Sequence, residues 1–116
     1  MTALDIVKSY HHAWTSGDID AAMTHVADDI SCRAPGGDIE GKTAYREYIA
    51  AFAPRVIEVG EIAEFAAGDR VALFHHPRTE ASRDAPAAEC FTVRDGRIVE
   101  NVLIFDRLSY RPAGQG

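Results

Sequence analysis

The sequence lacks most of the features that mark a specialised class. Its 116 residues hold two cysteines, Cys32 and Cys90, far apart and without CxxC spacing. Neither a disulfide framework nor a thiolate metal site is expected, and a reducing, cytoplasmic setting fits that usage. Positive charge is scarce: the formal net charge is −6 and the pI is near 5.2. A surface of that sign releases no counterions from phosphates, so nucleic acid and anionic membranes are not expected partners. No apolar run approaches the roughly 20 residues that cross a bilayer. No charged segment leading into an apolar stretch opens the chain, so no leader is expected. There is no glycine-rich phosphate loop and no nucleophile elbow, which leaves nucleotide binding and acyl transfer without support. Repeats and low-complexity segments are also missing.

What is present is the composition of one ordinary globular domain, 47% hydrophobic and 26% charged, long enough to bury a core without metal or disulfide staples. Arginine outnumbers lysine and alanine is abundant, a bias typical of GC-rich bacterial genomes. Thr2 and Asp5 form a capping box, followed by Ala3, Val7, Tyr10 and Trp14 on one helical stripe, with Ile6 and Ala13 beside them. Gly17 ends this helix and Asp18 caps a second, over about 18–27, stopped by Asp28 and Asp29. Residues 30–34 read as a short strand and Pro35-Gly36-Gly37 as a turn. Ala44, Tyr45, Tyr48, Ile49 and Phe52 predict a third helix, closed by Pro54. The period then changes to that of strands, over about 56–66, 71–80, 87–94 and 98–108, with Asp95-Gly96 a strong hairpin signal. Helices followed by an antiparallel meander make an α+β order. The domain is expected to span 1–108, with 109–116 a flexible tail.

Three stretches carry a family resemblance over roughly residues 3–108: Tyr10 to Asp18 with Ala27 to Ile30; Gly41 to Tyr48; and Asp95 to Val99 leading to Ile104-Phe105-Asp106. Together they resemble the nuclear-transport-factor-2-like superfamily, its SnoaL-like and ketosteroid-isomerase-like branches in particular. The resemblance implies a cone: three N-terminal helices packed on a strongly curved antiparallel sheet, a pocket between sheet and first helix, and a homodimer through the outer sheet face. It implies no single chemistry, since this fold hosts isomerases, cyclases, dehydratases, epoxide hydrolases and non-catalytic modules.

A ketosteroid-isomerase-like site needs a carboxylate base and two hydrogen-bond donors for an oxyanion, a tyrosine and a protonated acid; the enzyme is a standard case of such tuning. Carried over by resemblance, Tyr10 takes the tyrosine position and Glu89 that of the acid. The base position, at the end of the first strand before the proline, holds Ala34, so the family's own proton shuttle is incomplete. Strand alternation assigns Phe74, His76 and Arg78 to one inner face, and Glu89, Phe91 and Val93 to the next, completed by Asn101, Leu103 and Phe105. A one-residue change of phase at Pro77 would instead turn His75 inward and His76 out. His76 has the intrinsic pKa of a proton carrier, and Arg78 is placed to pair with Glu89 or clamp a ligand carboxylate.

Tyr10, Glu89 and His76 are thus the candidate catalytic residues. Trp14, Phe74, Arg78, Phe91, Asn101, Leu103 and Phe105 are the candidate ligand-binding ones. Adjacent histidines diverge on a strand and lie about 100° apart on a helix, so neither His11-His12 nor His75-His76 chelates, and no metal or other cofactor is expected. Cys32 reads as buried and inert. The expected function is a pocket for a small lipophilic carbonyl compound, with isomerase, cyclase or dehydratase chemistry. The alternative is a non-catalytic ligand-binding or dimerisation module, which Ala34 favours. A weaker third option is an epoxide-hydrolase-like use of Arg78 and Glu89, which lacks a second acid.

Overall fold

The computed structural model describes residues 1–110. The first helix, α1 (Ala3–Thr15), is closed by the capping box: Thr2 Oγ1 accepts from the Asp5 amide at 3.1 Å, and Asp5 accepts from the Thr2 amide at 3.0 Å. Its buried stripe is Ile6, Val7, Tyr10, His11 and Trp14, so a histidine shares the core face with the apolar residues. Gly17, at φ +91°, carries the chain out of the helix, and the Asp18 side chain caps α2 (Ile19–Met23). That helix is shorter than its pattern predicts. Strand β1 (Val26–Ala34) already begins before Asp28 and Asp29, which sit exposed where its register shifts.

A hairpin joins β1 to β2 (Gly37–Glu40), a strand with no sequence signal beyond the preceding Pro35-Gly36 turn. Next come α3 (Lys42–Phe52), a 3₁₀ turn at Ala53–Arg55, and the meander β3 (Glu58–Ala67), β4 (Arg70–Arg78), β5 (Ala87–Arg94) and β6 (Arg97–Ile104). Asp95 and Gly96 take φ of +52° and +77°, the left-handed pair that matches the twist of a two-residue hairpin. The sheet has six strands in the order β2-β1-β6-β5-β4-β3. It is mixed rather than wholly antiparallel, because β1 lies parallel to β6. Bulges at Glu61/Ala63 and Thr92/Val93 bend it. The helices cover its inner face over a core that includes Tyr10, Tyr45, Ile30, Phe91 and Ile98. No helix among the described residues is long and apolar enough to cross a membrane.

One expectation of strand phase is overturned. Pairing puts Glu89 opposite Leu73, and Phe91 opposite Val71, so the inner face of β4 is Val71, Leu73, His75 and Pro77. Phe74 is 40% exposed and meets Phe65 edge to face on the outer side. His76 donates Nδ1–H to the Asp84 carbonyl, and Arg78 is exposed and paired with Glu58. The physical reason lies at Pro77. The Arg78 carbonyl bonds to Ile57 on the β3 side, so the missing Pro77 amide faces the other side, beyond the last β4–β5 pair, His75 with Ala87. The proline breaks no ladder bond and needs no bulge. Alternation therefore runs unbroken from Val71 to Pro77.

The assigned tail also begins too early. Tyr110 is buried, packs on Phe52 and Phe105, and hydrogen-bonds through its hydroxyl to the Ala85 carbonyl. The rest of that tail, 111–116, lies outside the described residues.

Two substitutions test this packing by chemical denaturation. Thr2→Ala should cost about 1 kcal/mol by removing the cap. Leu73→Ala should cost about 2–5 kcal/mol, as for a core leucine. A Leu73→Ala protein as stable as wild type would place that side chain in solvent and restore the opposite strand phase.

Candidate functional site

The inner face of the sheet carries an unusual number of buried polar groups, joined in one chain. Tyr10 and Tyr45 share a hydroxyl–hydroxyl hydrogen bond of 2.5 Å. Asn101 Nδ2 donates to Tyr45 Oη at 2.9 Å and to Glu89 Oε1 at 3.2 Å. Glu89 Oε2 accepts from His75 Nε2 at 2.9 Å, and His11 Nε2 stands 3.7 Å from the same oxygen. Glu89 is 3% exposed, His75 3% and His11 6%. Register explains the assembly: Glu89, Asn101 and Leu73 occupy inward positions of three adjacent strands, His75 follows Leu73 on the same face, and His11 comes down from α1.

The electrostatics follow from burial. Desolvation acts to raise the Glu89 carboxyl, but the His75 hydrogen bond, the interactions with the His11 and His75 rings, and the Asn101 amide outweigh it. The acid stays below its ordinary value, as a carboxylate. Desolvation also lowers His11, which favours the neutral ring. Burial, with the nearby Glu89 charge and for Tyr10 also the Tyr45 hydroxyl, pushes both tyrosines up, so they remain neutral hydrogen-bonding groups. The Cys32 thiol is fully buried and pushed up to about 12, and it is inert.

Above Glu89 and His75 opens a largely apolar cavity of about 240 Å³. It lies between α3 and its 3₁₀ extension on one side and the ends of β4, β5 and β6 on the other, with Trp14 of α1 as a wall. Tyr48, Ile49 and Phe52 face Leu103, Phe105 and Pro77, and Arg55 and Tyr110 also line it. Arg55 lies 5.2 Å from the centre of the Phe52 ring and donates to the Tyr110 carbonyl. A second, more polar hollow lies between α1 and the β3–β4 pair and is lined by His11, His12, Glu61, Glu64 and His75. His75 lines both hollows, so the histidine–glutamate cluster separates the apolar cavity from the polar groove.

Of the sequence candidates, Trp14, Glu89, Leu103 and Phe105 line the cavity. Tyr10, Phe91 and Asn101 are fully buried on the inner face and are not among its lining residues. The Tyr10 hydroxyl is taken up by Tyr45 rather than presented to a ligand. Phe74, His76 and Arg78 face away. His75 stands where His76 was expected, for the reason of strand phase given above. Sequence reasoning missed Tyr48 and Phe52, whose helical stripe reads as ordinary core, and Arg55, which follows Pro54 in the 3₁₀ turn. It also missed the meeting of His11 with His75, because it weighed each adjacent pair alone, while one member of each pair converges on Glu89. Ala34 closes the β1–β2 hairpin opposite Gly37 and offers nothing to titrate. Four buried polar atoms here have no hydrogen-bond partner among the described residues: Trp14 Nε1, His11 Nε2, His75 Nδ1 and Asn101 Oδ1.

This architecture is shared widely. A protein from Kribbella flavida DSM 17836 is 39% identical and superposes with a TM-score of 0.90 over 94% of this chain and 90% of its own. An NTF2-like protein of unknown function from Cytophaga hutchinsonii is 20% identical, with a TM-score of 0.81 and 92% of each chain covered. A putative polyketide cyclase from Sinorhizobium meliloti is 20% identical, with a TM-score of 0.78 over 90% of this chain and 100% of its own. No curated protein matches. Residues 7–101, which include Tyr10, His11, His75, Glu89 and Asn101, match the SnoaL-like domain. The chain belongs to the SnoaL-like family and has the NTF2-like fold.

Proposed function

We propose that the protein binds a small, largely apolar carbonyl compound in the 240 Å³ cavity and moves protons on it, as an isomerase, cyclase or dehydratase. The observation that carries this reading is the pairing of an apolar cavity with the hydrogen-bonded Glu89 and His75 in its lining. A buried carboxylate–imidazole pair is expensive as packing, yet here it adjoins space that a ligand can fill. An apolar cavity of about 150 Å³ holds benzene, so this one has room for a substituted single ring. The unsatisfied Trp14 indole N–H supports a ligand that carries an acceptor.

In this reading Glu89 accepts the proton from the carbon beside the carbonyl, and the C–H electrons move to form the enolate. His75 delivers its Nε2 proton to a second carbon as the carbonyl re-forms and takes in exchange the proton that Glu89 holds, so both groups return to their starting state. His75 takes the part that sequence phase gave to His76, and the pair substitutes for the base that Ala34 cannot supply. Tyr10 acts only through Tyr45 and Asn101, as a positioning residue for the Glu89 carboxylate. The second reading, binding without turnover, is favoured by Ala34 and shares the same pocket.

The partner expected in addition is a second copy of the chain. On the outer face Phe74, Ala88 and Ile104 form one cross-strand row, and Phe65, Ala72, Cys90 and Val102 the next. A continuous apolar patch marks an interaction surface. In a chain of net charge −6, this uncharged strip is where two copies approach with least repulsion.

Trp14 is the only tryptophan and lines the cavity, so binding is read from intrinsic fluorescence. Phenols, as planar enolate mimics, should quench it saturably. Glu89→Gln and His75→Ala should weaken binding about tenfold or more, as expected for a lost hydrogen bond to a charged group, while Tyr10→Phe should stay within about twofold. A non-saturable response, or wild-type affinity in Glu89→Gln, refutes the site. Deuterium exchange into the α-carbon of a bound ketone, abolished in Glu89→Gln, separates turnover from binding. Sedimentation should show a dimer that Phe74→Glu converts to a monomer; an unchanged mass would remove the outer face as the interface.

A further inference from the structure

We propose that His11, His75 and Glu89 form a binding site for one divalent transition-metal cation, for which zinc is the best-fitting probe. The inference deepens the reading of the same pocket: the ligand class stays, and a cation takes the place of the proton between His75 and Glu89 in polarising its oxygen.

The geometry is that of a preformed donor set. One ligand atom from each residue lies within 4.8 Å of the others, with His75 Nε2 at 2.9 Å and His11 Nε2 at 3.7 Å from Glu89 Oε2. Donors about 2.1 Å from a tetrahedral cation stand roughly 3.4 Å apart, a value between those two distances. Two imidazoles and a carboxylate are the donor set of open, three-ligand zinc sites, whose fourth position is left for water or substrate. Here that position adjoins the apolar cavity that Glu89 and His75 line.

Three further observations point the same way. His11 is 6% exposed, yet its Nε2, aimed at the carboxylate, is too distant for a hydrogen bond and has no other hydrogen-bond partner among the described residues. An electrophile between the rings and the carboxylate would satisfy it. Asn101 holds the other Glu89 oxygen at 3.2 Å, the kind of outer support that fixes a carboxylate ligand. The polar groove between α1 and β3–β4 reaches both histidines from solvent and carries Glu61 and Glu64, an entry path that attracts a cation.

The test is calorimetric titration of the untagged, chelator-stripped chain with zinc chloride, with the thermal transition followed in parallel and cobalt(II) absorption as a report on the donors. The proposal expects one ion per chain, a rise in Tm on adding zinc, and a tetrahedral cobalt spectrum. His11→Ala should weaken binding at least tenfold and remove the Tm response. His12→Ala and His76→Ala, the other members of each adjacent pair, should retain both. His11→Gln repeats the test with a side chain that keeps a polar group in the core. No binding to wild type, undiminished binding in both His11 variants, or loss in His12→Ala or His76→Ala overturns the metal site. Failure leaves the pocket reading standing if phenol quenching persists in the stripped protein. Conversely, zinc binding without any phenol response retains the metal site and removes the carbonyl pocket.

Discussion

The hydrogen bond from His75 to Glu89, buried at 2.9 Å, is the contact on which the site depends. A carboxylate in a protein interior is costly unless its oxygens are engaged. Here His75 takes one oxygen and Asn101 the other, while Asn101 in turn anchors to the Tyr10–Tyr45 pair. Remove His75, and the remaining contacts leave a charge facing an apolar cavity. Replacing such a network with well-packed apolar residues is often neutral or stabilising. Stability therefore does not explain why these polar side chains meet in the middle of the core; the proposed chemistry at the cavity does.

The fold provides the precision this contact needs. Three adjacent strands bring Leu73, Glu89 and Leu103 into one cross-strand row, and Val71, Phe91 and Asn101 into the next. A single-residue slip in any of them would send its side chains to the outer face. The helices supply what the sheet cannot: α1 brings His11 and Trp14, and α3 with its 3₁₀ extension brings Tyr48, Phe52 and Arg55. Side chains on packed elements hold position better than side chains on loops, which suits a site built on hydrogen-bond distances. The loop beyond β4 plays a supporting part, its Ala85 carbonyl accepting the Tyr110 hydroxyl that closes one wall.

Much of this was legible before any coordinates. The capping box at Thr2 and Asp5, the stripe through Tyr10 and Trp14, the Asp95-Gly96 hairpin and the change of period after Pro54 each state local physics in local sequence, and each element formed. The inward placement of Glu89 was legible because a carboxylate stood on an otherwise apolar strand face. What failed was the phase of β4. His75-His76 offers the same residue on both faces, Phe74 is as apolar as Leu73, and Pro77 left a change of phase open. Only cross-strand pairing with β5 resolves that ambiguity, and pairing is a long-range fact. The meeting of His11 with His75 is long-range in the same sense, since one comes from a helix and the other from a strand. The Tyr10 hydroxyl reads as a ligand contact until Tyr45, on a different helix, is found to occupy it.

The most direct measurement of this account is the histidine NMR spectrum of the metal-free protein with nitrogen-15 in the imidazoles. A buried His75 Nε2 proton donated to a carboxylate should give a downfield, slowly exchanging resonance that disappears in Glu89→Gln. A His75 resonance like that of a solvated imidazole, unmoved by that substitution, would contradict the contact from which the site is built.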